Sequence, residues 1–106
     1  MFNLDLFLKQ HNKTVLDLIE MIKSVLEFAK ELKDEDDSKI KNAMYCYNWL
    51  LQELSPLTSY KIESPTNKKR KDAIEITEKI CDKTEKSEQV KNNVKIVAEY
   101  LKAILS

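Results

Sequence analysis

The chain has no glycine in 106 residues, and this absence constrains its fold more than any motif it contains. Glycine reaches positive φ without steric cost, and tight β-hairpin turns and phosphate-cradling loops depend on it. A chain without glycine is expected to avoid hairpins and to build from helices joined by polar loops. Its 42% hydrophobic content argues against disorder despite 34% charged residues. At this length a single domain is expected, burying roughly 60–70% of the unfolded surface without disulfide or metal staples.

Helical periodicity is legible from the first residues onward. Leu4, Leu8, His11, Val15, Leu18, Ile22, Val25, Ala29 and Leu32 alternate spacings of four and three, the rhythm of a core-facing stripe. One reading is a continuous helix about 45 Å long. The other places a break at His11-Asn12-Lys13, with Thr14 as N-cap and Asp17 completing a capping box. The second predicts a short lead-in helix near 3–10 and a main helix near 13–33. The acidic run Asp34-Glu35-Asp36-Asp37-Ser38 then reads as a loop, with Asp37 or Ser38 capping the next helix. A metal site there is disfavoured, because no second ligand cluster or glycine-bearing calcium loop accompanies it.

The second main helix, about Lys39 to Leu54, has two apolar sides. Ile40, Ala43, Met44, Tyr47, Leu50, Leu51 and Leu54 form one stripe, and Tyr45 and Trp49 lie almost opposite. The helix stops before Ser55-Pro56, because a residue preceding proline is pushed out of the α region. A long crossover at about 55–64 follows, with Leu57, Tyr60 and Ile62 as expected anchors. The third helix starts either at Ser64-Pro65 or at Asp72, whose capping partner is Glu75. A turn in 83–89 is expected, with Ser87 as N-cap, and Val90, Val94, Val97, Leu101 and Ile104 mark a last helix. The predicted fold is all-α: an antiparallel four-helix bundle with a short N-terminal helical lead-in and one long crossover.

Most chemistry is unsupported. His11 is the only histidine, too few for paired histidine–carboxylate metal motifs, and its seam position suits a core or junction residue. Cys46 and Cys81 form no C-x-x-C pair and read as small buried hydrophobes, with a disulfide between the second and third helices as the minor alternative. No nucleophile elbow, Walker motif or zinc signature is present. The expectation is therefore a non-enzyme without cofactor, metal or small-molecule substrate. No apolar run approaches the ~20 residues of a membrane span, and the start lacks a basic signal region. The chain is accordingly read as cytoplasmic.

Two function classes remain. In the first, Tyr45 and Trp49 anchor a protein interface, with Lys41, Asn42, Asn48 and Gln52 as its polar rim. The protein is then an interaction module, either a homo-oligomer or a small subunit of an intracellular complex. The competing structural explanation covers the two aromatics with the crossover or with Leu4, Phe7 and Leu8. In the second class, Lys68-Lys69-Arg70-Lys71 contacts nucleic-acid phosphates, with Lys79, Lys83, Lys86, Lys91 and Lys95 as extensions. Zero net charge and the interleaved Glu75, Glu78, Asp82 and Glu85 weigh against it.

Overall fold

The computed structural model describes residues 1–55, 61–85 and 87–105. They form five helices and, among the described residues, no strand: α1 (Leu4–Gln10), α2 (Val15–Lys30), α3 (Asp37–Leu54), α4 (Asn67–Lys83) and α5 (Glu88–Leu105). The radius of gyration is 13.1 Å, close to the ~13 Å of a compact fold of this length. None of the helices is long and apolar enough to cross a membrane, among the described residues.

The break between α1 and α2 is real and has a defined mechanism. Asn12 sits at φ 54°, the one positive-φ position among the described residues. The Lys13 amide reaches back to the Leu8 carbonyl at 2.9 Å, and the Asn12 amide reaches the Lys9 carbonyl at 3.1 Å. These are the two bonds of a Schellman C-cap, which usually places glycine at the left-handed position. Asparagine is the next-best residue for that region, and this glycine-free chain uses it. Two residues later the Thr14 hydroxyl accepts the Asp17 amide at 3.1 Å while the Asp17 carboxylate accepts the Thr14 amide at 2.9 Å. The predicted capping box is thus present, and it restarts the chain as α2.

Two predicted helix starts need correction. Asp36, rather than Asp37 or Ser38, caps α3, accepting the Ser38 amide at 2.8 Å. The helix α4 begins neither at Ser64-Pro65 nor at Asp72. The Pro65 ring is buried and its carbonyl accepts Arg70 Nε at 2.9 Å. The chain therefore has no helical geometry through 61–66, and Thr66 caps the helix. Asp72 lies inside α4 and faces α3, accepting Asn42 Nδ2 at 2.8 Å. Ser87 caps α5 as expected, receiving the Val90 amide at 3.3 Å.

The core lies among the four longer helices. α3 packs most extensively on α4 and also on α2; α4 packs on α5, and α2 touches both α4 and α5. Leu18, Ile22 and Val25 meet Ala43, Tyr47 and Leu50, together with Ile76, Val94, Val97 and Leu101, all essentially sealed from solvent. One polar pair sits inside this core. The Tyr47 hydroxyl lies 2.6 Å from Thr77 Oγ1, and Thr77 donates its own proton to the Ala73 carbonyl at 2.7 Å. Because the threonine proton is committed, Tyr47 must be the donor between them. Burial pushes the Tyr47 phenol well above its ordinary range, so it remains a neutral donor. The lead-in helix α1 rests on α5: Phe2 and Phe7 lie 5.7 and 5.8 Å from the Tyr100 ring.

Removing the acceptor is expected to cost more than removing the donor. Thr77→Val strands the buried Tyr47 hydroxyl and should lose about 1–3 kcal/mol, whereas Tyr47→Phe should lose about 1 kcal/mol. Urea unfolding of both variants and the double mutant tests this; equal single losses with additive behaviour would contradict the assignment. At the α1 turn, Asn12→Ala should destabilise by about 1 kcal/mol, because a Cβ without a local hydrogen-bonding partner disfavours the left-handed region.

A candidate interaction groove between α2 and α3

The outward side of α3 is shared between cover and opening. The Tyr45 hydroxyl donates to the Glu63 carbonyl at 2.7 Å, and Lys69 Nζ lies 3.9 Å above the Tyr45 ring centroid. The Gln52 side chain makes a two-pronged bond to the Ile62 backbone, donating to its carbonyl at 3.1 Å and accepting from its amide at 2.7 Å. A side-chain amide is in effect a peptide group, so Gln52 satisfies a backbone segment that has no helix of its own. The crossover therefore does reach α3, through Glu63 on Tyr45 and Ile62 on Gln52. Leu57 and Tyr60, the other expected anchors, lie outside the described residues. The lead-in residues Phe2 and Phe7 pack on Tyr100 of α5.

Beside that strap runs a groove of about 690 Å³. Leu16, Ile19, Glu20 and Lys23 of α2 form one wall, and Tyr45, Asn48, Leu51 and Gln52 of α3 form the other, with Ser55 and Ile62 at its edge. Leu16 is 74% exposed. A single exposed leucine needs no explanation, but here Ile19, Leu51 and the Tyr45 ring stand in the same groove. Of the six residues predicted for an interface, Tyr45, Asn48 and Gln52 are brought together here.

Trp49 and Lys41 are not part of the groove wall. Trp49 is half-buried and packs on the core, and Lys41 is exposed. Asn42, expected at the rim, is instead the donor to Asp72. Leu16 and Ile19 were missed as site residues. They look like ordinary members of a broad core face, and only the tertiary structure places them in one groove with Tyr45 and Leu51 among the described residues.

The basic cluster is largely turned onto the chain itself. Lys68 Nζ pairs with Asp72 at 3.1 Å, Lys69 caps the Tyr45 ring, and Arg70 donates to the Pro65 carbonyl and to Ser64 Oγ, each at 2.9 Å. Lys71 is exposed and pairs with no carboxylate among the described residues. Of the predicted extensions, Lys79 and Lys83 both bind Glu35, at 2.7 and 3.3 Å, and Lys86 lies outside the described residues. Glu35 comes from the acidic loop, so that loop clamps α4 as well as capping α3.

Electrostatic shifts at these contacts have local causes. The Asn42 amide, with desolvation opposing and Lys68 assisting, holds the Asp72 carboxyl below its usual range. Lys79, then Lys83, does the same for Glu35 despite partial desolvation. Cys46 and Cys81 are free buried thiols, so the disulfide alternative is not realised. Burial pushes the Cys46 thiol up to about 11, the opposite of what a nucleophile needs. His11 sits at the α1 junction, its Nε2 3.0 Å from Glu99 and its ring 4.8 Å from Phe7. No group of three or more potential metal ligands occurs among the described residues. No known protein family, curated protein or solved structure matches the chain.

Carboxylates lowered by folding contribute stability that is full above their unfolded pKa of about 4 and is lost as pH falls through the folded value. Asp72→Asn removes one of these titrations. Its stability should therefore fall less steeply than wild type between about pH 5 and 3, measured by urea unfolding across that range. An unchanged slope would mean that Asp72 does not carry the expected linkage.

Proposed function

We propose that this chain is a non-enzymatic helical interaction module, built as an antiparallel four-helix bundle with an α1 lead-in. In this reading it associates with itself or serves as a small subunit of a larger assembly, and the α2–α3 groove is its contact surface. The observation that carries the proposal is the exposed Leu16, with Ile19 beside it on α2, sharing a groove with Leu51, Tyr45 and Ile62. Asn48, Gln52, Glu20 and Lys23 border it with polar groups, matching the pattern of an apolar centre and a hydrogen-bonding rim.

The alternative is nucleic-acid binding through Lys68, Lys69, Arg70 and Lys71. It has less behind it, because three of those four side chains already hold partners within the chain. It predicts a salt-dependent affinity for mixed oligonucleotides whose slope weakens when the four become alanine.

Leu16→Asp tests the groove without emptying the core. Leu16 is exposed, so the change should alter stability by no more than about 0.5 kcal/mol and leave helicity intact. If the groove mediates self-association, the wild-type molar mass should rise with concentration up to about 100 μM, in the weak-affinity range. Leu16→Asp should remain monomeric throughout. A wild-type monomer at every concentration would eliminate the self-associating form and leave the heteromeric one.

A further inference from the structure

We propose that the occupant of the α2–α3 groove is a second copy of this chain, docked about a two-fold axis. The two α2 helices then run antiparallel, and Glu20 of each copy meets Lys23 of the other. This inference rests on the groove reading above and names the partner and its orientation. Leu16, Ile19, Glu20 and Lys23 fall at i, i+3, i+4 and i+7, so all four stand on one face of α2. That face forms one wall of the groove, and Tyr45 and Leu51 belong to the other. Leu16, 74% exposed, is therefore a projecting side chain beside a hollow of about 690 Å³. A two-fold contact needs one patch to hold both knob and hole, because the same surface appears on both sides.

Charge favours a second copy over a foreign partner. Glu20 and Lys23 carry opposite signs, and Lys23 Nζ lies 3.7 Å from Glu20 Oε1 with 73% of the glutamate and 59% of the lysine side chain exposed. An ion pair this open contributes little within one chain, so both groups are available to a docked surface. A uniformly acidic partner would meet Glu20, and a uniformly basic one would meet Lys23, each at the cost of like charges in contact. A surface carrying both signs in reversed order avoids both penalties, and the antiparallel image of α2 is such a surface. Parallel packing would put Glu20 on Glu20 and Lys23 on Lys23. The charge order thus selects the direction as well as the partner. The chain's net charge of zero adds no long-range repulsion between copies. The antiparallel arrangement carries Leu16 of each copy toward the other's groove, over the aliphatic stem of its Lys23.

The test measures molar mass in solution up to about 100 μM, the weak-affinity range. It compares wild type, Glu20→Lys, Lys23→Glu, the double reversal and an equimolar mixture of the two single variants. Wild type should rise from 12.4 kDa toward twice that mass. Each single reversal sets like charges against each other on both sides of the axis and should weaken association about tenfold or more. The mixture brings a two-lysine face to a two-glutamate face and should associate at least as well as wild type. The double reversal restores one charge of each sign and should dimerise alone. Both residues are exposed, so helicity by circular dichroism should be the same in every variant.

Single variants that associate like wild type, or a mixture or double reversal that stays monomeric, would overturn this arrangement. If Leu16→Asp still abolishes the dimer in that case, the groove reading stands without it. A dimer indifferent to Leu16→Asp would remove both. A wild-type monomer at every concentration would overturn the second-copy assignment and leave the groove to a heteromeric partner.

Discussion

The contact between α3 and α4 is the constraint on which the rest of this structure depends. Its centre is the buried Tyr47–Thr77 hydrogen bond, and its edge is a row of polar clasps: Lys39 to Glu75, Asn42 to Asp72, and Glu35 to Lys79 and Lys83. A phenol in a core is tolerated only with a partner in place. Tyr47 thus fixes the position of α4 on α3 more tightly than apolar packing alone would. The Lys39–Glu75 pair is half-exposed and individually modest, whereas the Asp72 and Glu35 carboxylates are largely shielded from solvent; all act along the same seam.

That seam decides what α3 has left over. With one flank on α4 and another on α2, its remaining side can be covered only by backbone that arrives without helical structure. Residues 61–66 arrive in that form, and Gln52 and Tyr45 satisfy the backbone groups of Ile62 and Glu63. Among the described residues, Leu16 stays exposed in the α2–α3 groove, with Ser55 and Ile62 at its edge.

Much of this was legible before any coordinates. The helical class and the cap at Ser87 follow from spacing and local hydrogen-bonding chemistry, and the break at His11-Asn12-Lys13 with its capping box at Thr14 and Asp17 was one of two readings the spacing allowed. The placement of Asp72 was not legible: as a capping residue it satisfies a local rule, yet its carboxylate is used by Asn42, thirty positions away in the chain. The α4 start was misplaced for a related reason, since Ser64-Pro65 is a strong local signal overridden by burial of the Pro65 ring and by Arg70 bonding to its carbonyl. The basic run looked like a phosphate-binding knob because sequence shows charge without showing that Lys69 has Tyr45 beneath it.

The sequence by itself determined that this protein is helical, where most of its helices begin, and that no glycine is available for a left-handed turn. These are near-neighbour properties, set by backbone sterics, caps and periodicity within a few residues. Only the tertiary structure decided that Trp49 leans on the core while Tyr45 borders a groove, and that Lys68, Lys69, Lys79 and Lys83 of α4 are spent on Asp72, Tyr45 and Glu35. Those outcomes depend on which surfaces meet across the bundle, and surface pairing between distant segments leaves no periodic trace in the chain.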